Sequence, residues 1–385
     1  MRKNDKHNRI WVLKTLRSLS VKVFFVSIFT LLTLHFTLCT VFADFEDIGV
    51  GVRAVGLGNC YTAIGDDIDS IYYNPAGLSH IKKTEFSSSY SKLYWGLDDG
   101  SNIGQSFISA GTSLGKYGVV GFGYIDLSLT KYYKENTFIL GYSKKINRNI
   151  YLGVNGKILS KQYGRDIYTE DDPLFNKYGY TKTGYSLDIG VKFNFNKFII
   201  GIVGKDLLRP DVDLGNSNDG LPATYKAGIG YKTDDLLLGL DFGYYYNVIK
   251  CFSGIEKLFF NKRFATRVGI GIGTREFSNI TLGLGYSYNI FRIDYAFIYP
   301  LSGIKNTYGT HRIGVKIGLP SLPKDEKEKI MKKKMKTYYW RGLTYYNQAR
   351  YKKAIREFKK ILKISPNHKQ SLRIIKKCQV QLKKL

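Results

Sequence analysis

The sequence predicts an all-β transmembrane barrel of about fourteen antiparallel strands, preceded by an N-terminal glycine-rich segment and followed by a small all-α repeat module. Three observations predict this class. The middle of the chain alternates with period two, aromatic residues crowd the ends of the alternating segments, and the period changes abruptly after Pro320. Successive side chains of a strand point to opposite faces, so such alternation gives each segment one apolar face and one polar or small face.

Composition narrows the field. In 385 residues, 44% hydrophobic and 15% aromatic content is ample for a core, which excludes a disordered chain. Four cysteines are too few and too scattered for a disulfide framework. The 59 Lys and Arg against 31 Asp and Glu give a net charge of +28. Residues 1–43 carry seven basic side chains and one acidic, and residues 321–385 carry 21 basic and four acidic. That leaves 28 − 6 − 17 = +5 for the body between them. A near-neutral body with two basic ends removes the reason to expect a nucleic-acid partner.

Residues 1–43 read as an export signal. Arg2, Lys3, Lys6, Arg9, Lys14, Arg17 and Lys22 precede an apolar run over 23–42, and Val41-Phe42-Ala43 offers small residues at a cleavage site before Asp44. An uncleaved anchor is the alternative, because the run approaches the ~20 residues a span requires.

Residues 44–83 form the hatch segment. Gly49, Gly51, Gly56, Gly58 and Gly65 permit tight bends close to a wall. Asn74 before Pro75 reads as a cap with Pro at the first helical position, and Gly77 as the end of that turn. Asp66, Asp67 and Asp69 either pair with inward cations or decorate a loop.

Residues 84–320 form the barrel. Tyr185, Leu187, Ile189, Val191 and Phe193 interleave with Ser186, Asp188, Gly190 and Lys192, and Ile280, Leu282, Leu284, Tyr286 and Tyr288 with Thr281, Gly283, Gly285, Ser287 and Asn289. Segments of roughly 9 to 14 residues exceed ordinary globular strands and suit a tilted bilayer crossing. Tyr244, Tyr245, Tyr246, Phe297 and Tyr299 sit where interfacial aromatic girdles belong. Tight turns at 115–116, 147–149, 196, 233–235, 261 and 289 alternate with mostly longer connections, the longest over 164–179 and 209–220. That pattern fits short periplasmic turns and longer outer loops. The alternation turns Lys157, Asp188, Lys192, Lys226, Asp241, Arg267, Arg292, Asp294 and Lys316 inward as lumen charges. Inward glycines leave room for a plug or a lumen.

Residues 321–385 form the helical module. Gly342, Tyr345, Tyr351, Ala354, Phe358 and Pro366 have the spacing of one tetratricopeptide repeat, with helices over 338–348 and 350–364, a cap helix over 367–385 and a preceding helix over 324–335. One repeat needs neighbours to supply its core, so this one is expected to lean on the preceding helix, the barrel or another chain.

The hatch segment resembles a known group. Arg53, Ala54, Gly56, Gly58, Asn59, Ala63, Asp66, Asp67, Tyr73, Asn74, Pro75, Ala76 and Gly77 match the Gly-Arg-Ala start, the Asp-Asp stretch and the Tyr-x-Asn-Pro-Ala-Gly sequence of FadL-type barrels, and more closely of their PorV/PorQ relatives. The resemblance implies a fourteen-stranded outer-membrane barrel plugged by this segment, with Arg53, Asp66, Asp67 and residues 73–77 as hatch or gating candidates. It implies uptake of a hydrophobic small molecule, or holding of a substrate for the type IX secretion system.

Catalysis finds no foothold. His80, His311 and His368 have no metal-ligand spacing, and Gly111-Thr-Ser113-Leu-Gly115 matches a nucleophile elbow only in letters, since a strand runs there into a turn. No enzyme, cofactor or metal site is predicted. The expectation is an outer-membrane protein of a diderm bacterium, in contact with outer-membrane lipid, with both ends periplasmic. It transports or holds a hydrophobic or secreted substrate, with a repeat that binds a periplasmic or secretion-system protein. The alternative is a closed scaffold that anchors the repeat.

Overall fold

The computed structural model describes residues 45–97, 102–167, 169–215, 220–245, 247–275, 277–304, 306–319 and 324–383, the last stretch with side chains from 331 onward. The export signal, Tyr246 and the prolines at 320 and 323 lie outside these residues. The chain divides into two units, Met1–Asp47 and Ile48–Leu385, and the second contains the hatch, the barrel and the helices.

Fourteen strands close into one antiparallel barrel: β1 (Thr84–Leu93), β2 (Ile103–Ser113), β3 (Val119–Leu129), β4 (Tyr133–Lys145), β5 (Ile150–Tyr163), β6 (Thr181–Phe195), β7 (Phe198–Lys205), β8 (Thr224–Lys232), β9 (Leu236–Tyr245), β10 (Val248–Phe259), β11 (Phe264–Gly273), β12 (Phe277–Tyr288), β13 (Phe291–Pro300) and β14 (Thr310–Leu319). Each pairs with its sequence neighbours, and β1 closes on β14 from Thr84↔Leu319 to Lys92↔His311. Closure leaves no sheet edge, which is what a lipid surround demands of a β protein. The outward face is greasy: Leu140 is 70% exposed, while its inward neighbour Ile139 is 2% exposed. No helix among the described residues is long and apolar enough to cross a membrane.

The tight turns are where the sequence puts them. Asn196, Asn261 and Asn289 adopt left-handed φ of 53°, 55° and 55°, a conformation that asparagine tolerates better than most residues. At the other end the connections are less uniformly long than expected, because 130–132, 246–247 and 274–276 are also short. The long ones follow β1, β5, β7 and β13. Since β1 starts opposite the end of β14, the hatch enters and the helical module leaves at the end carrying the six predicted tight turns.

Ahead of the barrel lie α1 (Val52–Gly56), α2 (Ser70–Tyr73) and a 3₁₀ helix over Pro75–His80. Gly77 does not end that turn; Ile81 does. Glycine stands at 77 because a Cβ would come within 2.6 Å of the Ser70 Cβ, where two hatch segments touch. The β5–β6 loop contains α3 (Pro173–Tyr178), capped by the Asp172 carboxylate accepting from the Leu174 N–H at 2.8 Å.

After the barrel come α4 (Lys324–Asn347), α5 (Tyr351–Ile364) and α6 (Lys369–Leu382). The expected break between Met335 and Tyr338 is absent and α4 is continuous, since Met335-Lys336-Thr337-Tyr338 contains neither Gly nor Pro. Ala354, Phe358 and Ile361 of α5 are fully buried against Ile375 and Cys378 of α6, with Tyr345 and Tyr351 packed at the margin and Pro366 exposed beyond α5. At Gly342 a Cβ would stand 2.7 Å from the Phe358 ring, so glycine lets α4 approach α5 closely.

Candidate functional site: the hatch inside the barrel

The lumen is occupied by the chain's own N-terminal segment. Val50, Ala54, Leu57, Tyr61, Ile64, Ile68, Ile71, Tyr73 and Leu78 are at most 1% exposed and share one cluster with Phe107, Val119, Ile125, Ile139, Ile199 and Leu237 of the wall. Where the hatch touches the wall, the wall is glycine. A Cβ on Gly153 would overlap the backbone of Pro75 and Ala76, on Gly201 the Thr62 carbonyl, on Gly254 the Leu57 carbonyl, and on Gly269 the Gly58 nitrogen. Gly58 answers from the hatch side with φ of 67° and room for no side chain, its Cβ position lying 2.8 Å from the Ile270 nitrogen.

Polar fixation is laid over this packing. Arg53 of α1 is 7% exposed and meets Glu256 of β10 at 2.7 Å, Asp66 at 2.6 Å and Asp67 at 3.4 Å. Glu256 also receives Arg267 at 2.6 Å, and Arg267 reaches Asp294 at 2.9 Å. Arg292 completes the group, 2.8 Å from Asp294 and 3.6 Å from Glu256. On the seam strand, Lys316 pairs with Asp67 at 2.6 Å and Asp69 at 3.0 Å. Lys232, at the end of β8, pairs with Asp66. Charges taken out of water need such partners, because an isolated one costs several kcal/mol.

Backbone groups are held as well. The Asp241 carboxylate accepts from the Tyr61 and Thr62 N–H groups at 2.8 and 2.7 Å. Asn74 works in both directions: its Oδ1 accepts from the Ala76 N–H at 3.1 Å, and its Nδ2 donates to the Thr62 carbonyl at 2.9 Å and, across to the wall, to Val191 at 3.3 Å. The Tyr73 hydroxyl lies 2.9 Å from both the Val50 carbonyl and Asn59 Oδ1. Lys192 donates to the Gly65 carbonyl, and the Ser79 and Ser143 hydroxyls meet at 2.5 Å.

Burial pushes the Asp66 carboxyl up, but Arg53 and Lys232 more than offset this and hold it well below the usual carboxylate range. Burial, and then Lys192, push the His80 imidazole down to about 4. Its ring fits the neutral form, with Nδ1 against the Gly77 carbonyl at 3.2 Å and Nε2 facing the Asn194 amide at 3.1 Å.

The predicted lumen charges are therefore not one constellation. Arg267 and Arg292 share Glu256 with the hatch residue Arg53, Asp294 bridges the two wall arginines, and Lys316 joins through Asp67. Lys157 and Asp188 form a separate group with Asp206, at 2.9 and 2.6 Å from the Lys157 ammonium. Lys226 stands over the Phe252 ring at 5.1 Å. The sequence reading missed Glu256, which joins Arg53 to the wall, and also Asp206 and the buried Arg312, whose Nη2 donates to Gln105 at 2.7 Å. Glu256 was available: it follows Phe252 and Gly254 at period two, on the inward face of β10. Gly111 and Ser113 lie on β2, running into a short 3₁₀ turn at Gly115–Tyr117. Among the described residues no group of three His, Cys, Asp or Glu side chains is placed to hold a metal.

A closed fourteen-stranded barrel with its N-terminal segment folded into the lumen belongs to the class of outer-membrane barrels. Residues 69–317 match the type IX secretion system membrane protein family PorP/SprF, and the chain belongs to that family. The family that matches is thus PorP/SprF, where the hatch motif points to PorV/PorQ. Residues 335–368 match the tetratricopeptide repeat. No curated protein matches. Solved structures similar in fold include the CymD monoaromatic hydrocarbon channel, with 13% identity, a TM-score of 0.55, and cover of 72% of this chain and 99% of that one. The Ralstonia pickettii toluene transporter TbuX has 13% identity, a TM-score of 0.54, and cover of 72% and 100%. The P. putida toluene transporter TodX has 10% identity, a TM-score of 0.55, and the same cover of 72% and 100%. At such identities the likeness is one of fold.

Proposed function

We propose that this chain is a plugged barrel of the type IX secretion machinery that holds a secreted or hydrophobic substrate at the outer membrane and is not a standing pore. The carrying observation is the hatch, seated on wall glycines and tied to β10, β8 and β14 through Arg53–Glu256, Asp66–Lys232 and Asp67–Lys316. In this reading residues 1–43 are removed on export, both ends of the mature chain face the periplasm, and the repeat meets a secretion-system protein. A kinship with PorV/PorQ within the FadL-type superfamily rests on residues 49–78. The test is conductance in planar bilayers: the intact protein is silent and a variant lacking residues 48–80 conducts. Steady conductance of the intact protein would sink the proposal.

The second reading is transport, in which the hatch moves aside for an apolar solute. It is favoured by the non-covalent fastening of the hatch, part of which is ion pairs such as Asp66–Lys232 and Asp67–Lys316 that a competing charge can undo. Cysteines in place of Ser79 and Ser143, whose hydroxyls touch, would staple the hatch to β4. Uptake that stops on oxidation and returns on reduction supports displacement; uptake indifferent to the staple excludes it.

A further inference from the structure

From Met331 to Lys383 the chain holds 17 Lys and Arg and a single acidic residue, Glu357. Glu357 is itself buried and paired with Lys360, so every exposed charge in this stretch is positive. On α5, Lys352, Arg356, Lys359 and Lys363 follow at i, i+4, i+7 and i+11, which places them on one helical face. On α6, Lys369, Arg373 and Lys376 repeat that spacing. All seven are exposed, and none forms an ion pair among the described residues. An ordinary soluble surface mixes both signs, because a field of one sign repels itself.

Apolar side chains stand among these cations. Val380, 53% exposed, continues the α6 stripe, and Leu372 at 42% borders it. Cations interspersed with exposed apolar side chains are what a headgroup layer accommodates, the charges at phosphate level and the apolar groups just beneath. The chain also delivers the module to such a layer. Leu319 ends the last membrane-crossing strand, and only residues 320–323 separate it from Lys324, a reach of at most ~18 Å. We propose that the basic stripe of α6, interspersed with Leu372 and Val380, docks the helical module onto anionic phospholipid headgroups of the membrane that holds the barrel.

The test uses the full chain in nanodiscs of phosphatidylcholine alone or with about a third phosphatidylglycerol, the probe being chymotrypsin cleavage at Trp340 and its neighbouring tyrosines. Docking slows that cleavage by about tenfold in the anionic bilayer, and about 0.5 M NaCl removes the protection. The variant K369E/R373E/K376E, and the milder R373Q/K376Q with its helicity checked by circular dichroism, lose the protection in the same anionic discs, whereas K352E/R356E/K359E/K363E, on the far side of the core, keeps it. Equal cleavage rates in the two bilayers overturn the proposal. So does protection in phosphatidylcholine discs that depends on an added acidic protein, which would assign the stripes to a protein partner.

Discussion

Arg53 in the hatch and Arg356 in α5 carry the same guanidinium in opposite settings. Arg53 is 7% exposed and touches three carboxylates, while Arg356 is exposed and touches none. The contrast extends to their regions. In the lumen, Arg53, Arg267, Lys316, Lys232 and Lys157 are matched by Glu256, Asp294, Asp67, Asp66 and Asp188, whereas every exposed charge from 331 to 383 is positive. Desolvation explains both. Inside the barrel an unmatched charge is expensive, so charge there fixes geometry; on the module water screens it, so charge there is left for something outside the chain.

The largest expected effect comes from breaking the matched side. Glu256→Ala removes the carboxylate that Arg53, Arg267 and Arg292 share, leaving them only Asp66, Asp67 and Asp294, and should cost ~3–5 kcal/mol of barrel stability, read by urea unfolding in lipid. Arg356→Ala should stay within about 0.5 kcal/mol. If the two variants unfold alike, the contrast between the regions has no energetic content.

Packing gives the next effect, sharpened by an internal control on one strand. Gly153→Val drives a side chain into the Pro75–Ala76 backbone and should cost ~1–3 kcal/mol, with the hatch becoming protease-accessible. Gly156→Val, whose Cβ would meet nothing within 4 Å, should be near neutral by the same assays. Smaller again is Asn74→Ala, which removes a cap and a bond to the Thr62 carbonyl, for ~1–2 kcal/mol.

Titration is the gentlest probe. The Asp66 carboxyl is depressed in the fold, so its contribution is present above the ordinary Asp value near ~3.9 and is lost as pH falls through the lower folded value. Proteolysis of the hatch should thus not rise between about pH 7 and pH 4.5, and rise only in stronger acid. Release of the hatch already at pH 5 would show that Arg53 and Lys232 do not hold this carboxylate as described.

Much of the barrel was legible because alternation and turn chemistry are local. Fourteen segments, the inward placement of Lys157, Asp188 and Arg267, and the asparagine turns all follow from neighbours in sequence. The site was only half legible, because its contacts are remote. Nothing near residue 53 announces residue 256, and nothing near Asp67 announces Lys316. Gly77 was misread for the same reason: its glycine answers Ser70 in the folded hatch, not the end of its own turn. In the module the amphipathic spacing of α5 was plain, while the fusion of two expected helices into α4 reflects the mere absence of a breaker.

The glycine-lined wall also bears on how the molecule is built. Gly153, Gly190, Gly201, Gly254 and Gly269 come from five different strands, and the space their side chains would need is taken by hatch atoms. The hatch precedes every strand, is joined directly to β1 beside the β1–β14 seam, and takes up room that no wall side chain stands ready to fill. Hatch and wall are therefore fitted to each other in outline as well as in charge, so a substitution on either side is felt by both.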